Sequence, residues 1–326
     1  MPNDVWYGAD CEMRIGRRAS VTTPPASWQS FEFMQLTANP AQEWRERPGI
    51  GVPGKRHNTL DPIKPRKGFR RISLELVLDA DTRLLPLILR YALGAPAAPT
   101  ANDDDGDLFD HVWSSGSKAE QYFDIQIRVG ANDIRIFRCL TLSNIASQSS
   151  GENTQDLDIN LSLQGLDWEK VAAFEGGTPT ACPDEAPILR ALYLVDDVAA
   201  DNTLTAGFTW ARALSEGLFL SPTPTISSNR PNIGGTHTIT ASFRAVAAAF
   251  DDLEEEETVF SAAVRLIGVQ PGHGIRFEQP HSMLAPGALP VQGPGMIERS
   301  FTSNGHQTPT APATFITITN DVASYA

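Results

Sequence analysis

The chain is short of cysteine, lysine and long apolar runs, and each shortage closes a class of function. Only Cys11, Cys139 and Cys182 occur, with no CxxC pair, so neither a disulfide framework nor a zinc knuckle is supported, and the three read as reduced, structural thiols. No apolar stretch approaches the roughly 20 residues a helix needs to cross a bilayer. The opening MPNDVWYGADCEMRIGRR lacks the basic-then-apolar order of a secretion signal, so the expectation is a soluble protein that folds in the cytoplasm. HExxH spacing, a GxSxG elbow and a Walker loop are missing, and the acidic pairs sit in turns, so no two carboxylates stand out for acid–base work. His57, His111, His237, His273, His281 and His306 mostly neighbour Gly or Pro, which reads as surface histidine. Gly49, Gly51 and Gly54 match GxGxxG, but Pro48 precedes them and Pro53 and Pro62 forbid the helix a dinucleotide site requires. The reading is a non-enzyme without cofactor or metal. Of the six tryptophans, Trp28, Trp113, Trp168 and Trp210 stand beside strand patterns and are expected as core or interface anchors.

Charge is abundant but lopsided. The net charge of −13 argues against wrapping nucleic acid, which needs a basic surface, although it does not prevent DNA from passing nearby. Residues 1–175 hold 19 basic and 24 acidic side chains, and residues 176–326 hold 7 and 15; all five lysines lie in the first part. Nine basic residues crowd between Arg45 and Arg71, whereas Asp251, Asp252, Glu254, Glu255, Glu256 and Glu257 form the densest acidic run. These are either complementary patches through which one copy docks on another, or two solvated loops.

The patterning is that of a mainly β protein. In FRRISLELVLDADTRLLPLILRYALG (69–94), Ile72, Leu74, Leu76 and Leu78 share one strand face, and the period then lengthens so that Leu84 to Leu93 predicts a helix. Asp79, Asp81 and Thr82 offer its start, Pro86 fits only the first turn, and Gly94 suits its stop. Alternation recurs at Ile125, Ile127 and Val129, over 132–137, and at Leu157, Ile159, Leu161 and Leu163, as in antiparallel sheet with one wet face. EGGTPTACPDEAP predicts a linker near 174–187. Beyond it Leu204, Ala206, Phe208 and Trp210 alternate, then His237, Ile239, Ala241 and Phe243 against Thr236, Thr238, Thr240 and Ser242, with Ile316 and Ile318 as a closing strand comparable to Leu157–Leu163. That order predicts a diverged internal duplication, with domains at 1–174 and 188–326; the alternative is a second, unrelated β domain. The proline-rich stretch 40–68 is expected as a long loop carrying the basic cluster.

The 69–94 unit, GRRASVTTPPASWQSFEFMQL (16–36) and LTLSNIASQSSGENTQDLDINLSLQGLDW (140–168) together resemble the major tail tube proteins of long-tailed bacteriophages, over about the first 170 residues. The resemblance implies a tail-tube-type β-sandwich or barrel with a flanking helix, four strands of which join an inner barrel shared around a ring. It implies an arm reaching another subunit or ring, here Arg45, Arg47, Lys55, Arg56, Lys64, Arg66 and Lys67, with the acidic run as its partner surface. The partners it implies are further copies of the chain in ring and stack and the tape measure, distal tail and terminator proteins; DNA passes through the lumen without specific binding, and no membrane is involved. Asp156, Asp158 and Asn160 are expected to face the lumen. If the second half is a degenerate tube domain, a trimer makes a pseudo-hexameric ring. The protein would be assembled in the host cytoplasm and reside in the virion tail. Alternatives are another tail ring component, such as a distal tail or terminator protein, and a carbohydrate-binding β-sandwich using exposed tryptophans.

Overall fold

The computed structural model describes residues 11–45, 66–102, 107–116, 121–130, 132–150, 157–200, 203–218, 226–231, 235–243, 259–285 and 299–325. It is mainly β. The first half contains β1 (Cys11–Arg18), β2 (Gln29–Phe31), β3 (Gln35–Arg45), β4 (Arg66–Asp79), the helix α1 (Leu84–Leu93), β5 (Thr100–Ala101), β6 (Phe109–Ser114), β7 (Tyr122–Val129), β8 (Asp133–Ser150), β9 (Asp158–Gly165) and β10 (Asp167–Val171). The second contains β11 (Ile188–Val195), β12 (Val198–Ala199), β13 (Thr203–Ala211), β14 (Leu214–Leu218), β15 (Ile226–Pro231), β16 (Thr236–Phe243), β17 (Phe260–Gly268), β18 (Gly274–Ala285), β19 (Arg299–Gly305) and β20 (Phe315–Asn320).

All ladders between these strands are antiparallel. A front layer of eight strands runs β3-β4-β9-β8-β13-β16-β19-β18. Behind its first half lies β2-β1-β7-β8-β10, and behind its second β12-β11-β17-β18-β20-β6-β5. Strands β8 and β18 belong to both layers: the beginning of each pairs at the back and its end at the front. The two crossings have the same device. Ladder β7–β8 shifts register between Phe123↔Leu140 and Ile125↔Phe137, and β17–β18 shifts between Phe260↔Ser282 and Ala262↔Gln279. A bulge adds a residue to one strand and bends it, which is how a strand turns the corner between packed sheets.

At the first corner the bend is held by charge. Cys139 has φ +55°, and its N–H leaves the ladder to donate to Asp124 Oδ1 at 2.8 Å. Arg18 Nε donates to the same oxygen at 2.6 Å, with the Arg18 and Asp124 side chains 6% and 0% exposed. Arg138 approaches Asp124 at 3.7 Å and pairs with Glu175 and Glu169. Burial pushes the Asp124 carboxyl upward, and Arg18, the Cys139 N–H and Arg138 oppose that push. Burial is the main force that drives the Cys139 thiol to about 11, with Asp124 and Asp167 adding to it and Arg18 and Arg138 opposing it, so it is an inert structural group.

The pairing scheme of the first half recurs in the second. The ladders β1–β2, β1–β7, β7–β8, β8–β10, β8–β9, β4–β9 and β3–β4 have as counterparts β11–β12, β11–β17, β17–β18, β18–β20, β18–β19, β16–β19 and β13–β16. The counterpart of β20 is therefore β10, and that of Leu157–Leu163 is β19, not the strand of Ile316 and Ile318 that the sequence order suggested. What the first half has in addition is α1, β5 and β6; the stretch 244–258 at the matching place lies outside the described residues. Gly165 and Gly305 end matching strands, and a Cβ on either would lie within 3 Å of a neighbouring atom.

The halves share one core. The inward row Ile72, Leu74, Leu76 and Leu78 of β4 lies in the same buried cluster as Phe208, Ile239, Phe243 and Phe277. In the second half the layers meet through rings: Phe208 stacks on Phe277 at 4.3 Å, and Tyr193 meets Phe243 edge-on at 5.8 Å. Hydrogen bonding also carries across 174–187 instead of leaving a free linker. Thr180 pairs with Trp28 and Ser30, and Asp81, just before α1, accepts from Arg83 N, Leu84 N and Ala186 N. Arg83 pairs with Asp321, and Asn320 Nδ2 reaches the Thr82 carbonyl, so the start of α1 is bound to the last strand as well. The helix ends as expected, at Gly94 with φ +99°.

Replacing Asp124 by Ala leaves Arg18 buried without a counter-ion, its Nη1 still donating to the Val21 carbonyl, and the Cys139 N–H without an acceptor, and should cost about 3–5 kcal/mol in urea unfolding. The pair Arg18→Met with Asp124→Leu should recover part of that loss, because it removes both charges together while the Cys139 N–H stays without an acceptor.

Candidate assembly surface

The front layer has one dry face and one wet one, and the wet face bears the most distinctive chemistry. Along β4, Ile72, Leu74, Leu76 and Leu78 are buried while Ser73, Glu75 and Asp79 are exposed; along β9, Ile159, Leu161 and Leu163 are buried while Asn160 and Gln164 are exposed. The same alternation puts Thr37 and Asn39 of β3, Thr209 of β13, Thr236, Thr238, Thr240 and Ser242 of β16, and Ser300, Thr302 and Asn304 of β19 on that open side. The rows are cross-linked, with Ser162 donating to Glu75 at 2.9 Å and the hydroxyls of Thr205 and Ser242 2.6 Å apart. Among the residues of this face whose side chains are described, the formal charges are Arg71, Glu75, Asp79 and Asp158. These side chains make a surface chiefly of hydroxyls and amides.

Asp158 and Asn160 both lie on this open side of β9. Asp156 lies outside the described residues, as do Arg47, Lys55, Arg56 and Lys64 of the basic arm and all of Asp251, Asp252, Glu254, Glu255, Glu256 and Glu257. Arg45 ends β3, and Arg66 and Lys67 begin β4, where Arg45↔Arg66 and Trp44↔Lys67 are paired. The expected loop 40–68 is accordingly shorter. Its flanks are sheet, because β3 is an edge strand and Pro40 is tolerated at an edge. At the corresponding place in the second half, β13 leads into a paired hairpin, β14–β15, before β16.

Each end of the front layer presents backbone without a described partner. Among the described residues, strand β3 pairs with β4 alone, and at the other end Met283, Leu284 and Ala285 of β18 pair with β19 alone. Unpaired N–H and C=O groups along an edge invite another strand.

The tryptophans are anchors: Trp28, Trp113 and Trp210 are 5%, 3% and 4% exposed, and the Trp113 indole donates to the Gly94 carbonyl at 2.9 Å. The histidine expectation is corrected for two residues. His111 and His273 are buried, because their ring nitrogens find protein partners: His111 Nε2 is 2.7 Å from the Val322 carbonyl, and His273 Nδ1 is 3.1 Å from the Thr82 hydroxyl. His237 is half-buried, with Thr314 Oγ1 2.9 Å from Nδ1 and Trp210 stacked beside it. Burial lowers the pKa of all three, that of His237 to about 4. The described residues contain no group of three or more His, Cys, Asp or Glu that could hold a metal, and no helix long and apolar enough to cross a membrane. Glu185 is raised by the neighbouring Glu32, and beside this exposed carboxylate pair lies the half-buried Cys182 thiol, which burial chiefly pushes up to about 11. No protein-family model matches the chain, and no curated protein is similar to it.

A histidine kept neutral by folding opposes protonation that the unfolded chain accepts. Stability is therefore complete above the ordinary histidine pKa of about 6.5 and falls as pH drops from there toward the folded value near 4 of His237. The melting temperature should be level between pH 8 and 7 and decline by pH 5. His237→Gln should make that decline shallower, as read by differential scanning fluorimetry across the series.

Proposed function

We propose that this chain is a structural virion protein that polymerises as stacked rings into a phage tail tube through which DNA is ejected. One observation supports this reading above the others: a continuous eight-stranded layer, wet and polar on one face, built from two four-strand sets of the same connectivity and, among the described residues, without a further strand at either edge. Such a layer would be completed by further copies. Three chains of eight strands would supply 24, and at about 4.8 Å per strand with about 45° tilt these close a circle roughly 50 Å across the backbone. Side chains leave roughly 40 Å, wider than a duplex of about 20 Å.

The chemistry of the open face fits passage better than binding. Short hydroxyl and amide side chains keep their water, and the few carboxylates repel phosphate, whereas a basic wall repeated ring after ring would act as a brake. The carbohydrate-binding alternative loses its support, since Trp113 and Trp210 are buried. A distal tail or terminator role uses the same kind of ring once per particle, and copy number in the virion separates it from a tube.

Negative-stain microscopy of the purified protein, with an initiating tail-tip complex supplied, should show striated tubes with a central channel; globular particles at every concentration would overturn the proposal. In assembled particles, Glu75→Lys together with Asn160→Lys should slow DNA ejection several-fold, and more so at low salt, when followed by dye release.

A further inference from the structure

The strands of the front layer finish in two unlike ends. Their ladders set Ile72, Gly165, Ala211 and Met283 along one end, and Asp79, Asp158, Ser150 and Phe243 along the other. At the first end the β3–β4 hairpin overshoots. Strand β9 leaves β4 at Gly165, opposite Ile72, and residues 66–71 run on with β3 as their ladder partner among the described residues, a projection of about 20 Å at roughly 3.3 Å per residue. Arg45, Arg66, Lys67, Arg70 and Arg71 occupy ladder positions in that projection, so it is a basic prong.

The opposite end is recessed and acidic. A hollow of about 450 Å³ opens beside β1 and β2, with Cys11, Met13, Phe31, Phe33, Met34 and Cys182 in its walls. Glu32, Phe33 and Met34 also line an adjoining pocket of about 110 Å³, which adds Asp79, Glu185 and Pro187. Glu32, Asp79, Asp184 and Glu185 are exposed around this opening. The mutual hydrogen bond and repulsion of Glu32 and Glu185 raise the latter, a repulsion that an incoming cation relieves. Of the cations nearby, Arg83 is paired with Asp321, and Arg190 is exposed on β11.

Exposed apolar side chains follow the same division. Met34, Leu189 and Val269 stand at the recessed end, where Val269 N donates to the Pro187 carbonyl; Val198 and Val259 stand at the projecting end, beside the corner at Phe260↔Ser282. Apolar surface set at opposite ends of one molecule leaves water when copies join end to end. We infer that they do so with one polarity: the basic prong of one copy enters the acidic-lipped recess beside Met34 of the next. Two different surfaces meet in such a contact, so it repeats without closing and lengthens a stack. A contact within one copy is out of reach. Met34 N pairs with the Val77 carbonyl and Trp44 with Lys67, so recess and prong are ten residues apart along β4 (77 − 67), about 33 Å. The recess thus gives the basic segment an acceptor distinct from the acidic run at 251–257.

This inference rests on the tube reading above and is tested apart from it in the full chain. In Glu32→Lys with Glu185→Lys, and separately in Arg45→Glu with Lys67→Glu, tube growth from a tail-tip complex should slow by about ten-fold or more, because like charges then meet. All four changes together should restore growth toward the parent rate, with melting temperatures close to the parent's throughout. p-Benzoylphenylalanine in place of Met34, irradiated in assembled tubes, should form bonds between copies that mass spectrometry maps to residues 41–45 or 66–71. Reversed pairs that grow at the parent rate, a combined variant as slow as either pair, or bonds mapped elsewhere overturn the docking while the tube reading stands. Bonds from position 34 of one copy to position 34 of another overturn the polarity. A parent chain that forms no tubes overturns the tube reading, and bonds from position 34 to the prong in its oligomers still support the docking.

Discussion

Strand β8 is the constraint on which the rest of the first half depends. It takes partners from β7 and β10 at the back and from β9 and β13 at the front, so one continuous backbone fixes the spacing of the two layers and the junction of the two halves. It can do so only by bending near Cys139, where a positive φ and a lost ladder bond must be compensated. Asp124 supplies the compensation from the adjacent strand, and Arg18 keeps that carboxylate from being an unpaired buried charge. A local backbone irregularity thus carries long-range consequences, because both sheets inherit their direction from it.

The second corner uses the same bulge with different chemistry. There Gln279 is fully buried, and its Oε1 accepts from the hydroxyls of Ser282 and Ser303 at 2.8 and 3.1 Å. Neutral hydrogen bonds stand where the first half has ions. Equal topology with unequal side chains is what a fold-level constraint leaves when the sequence is free to drift around it. The first half also lends its β5–β6 hairpin to the back sheet of the second through β6–β20, and α1 is bound at its start to the final strand. Neither half therefore closes its own core.

A layer sealed on one face, wetted on the other and, among the described residues, without a further strand at either edge leaves backbone groups that invite pairing. The proposed ring gives those edges a definite partner. The described hydroxyls and amides of the open face also suit that ring, since they hold water and offer a passing polyanion few charges.

Much of this was legible in the residues. The alternation of Ile72 to Leu78 and of Leu157 to Leu163, the helix from Leu84 to Leu93 and its glycine stop depend on neighbours in sequence, and period-two and period-3.6 patterns register such neighbours directly. The threonine row of β16 was visible in the same way, as was the burial of tryptophans beside strands. The Asp124–Arg18 pair was not, because its members are 106 residues apart and their burial depends on a fold in which β1 lies beside β7. The burial of His111 and His273 was hidden for the same reason: their ring partners, Val322 and Thr82, come from distant strands and turns. By itself the sequence determined which segments are strand or helix and which face of each is apolar, because those properties are local. Only the tertiary structure decided strand order, the corner at Cys139, the joining of the halves through β8–β13 and the two edges left open, because each of these is a pairing of backbone groups that no side-chain pattern specifies.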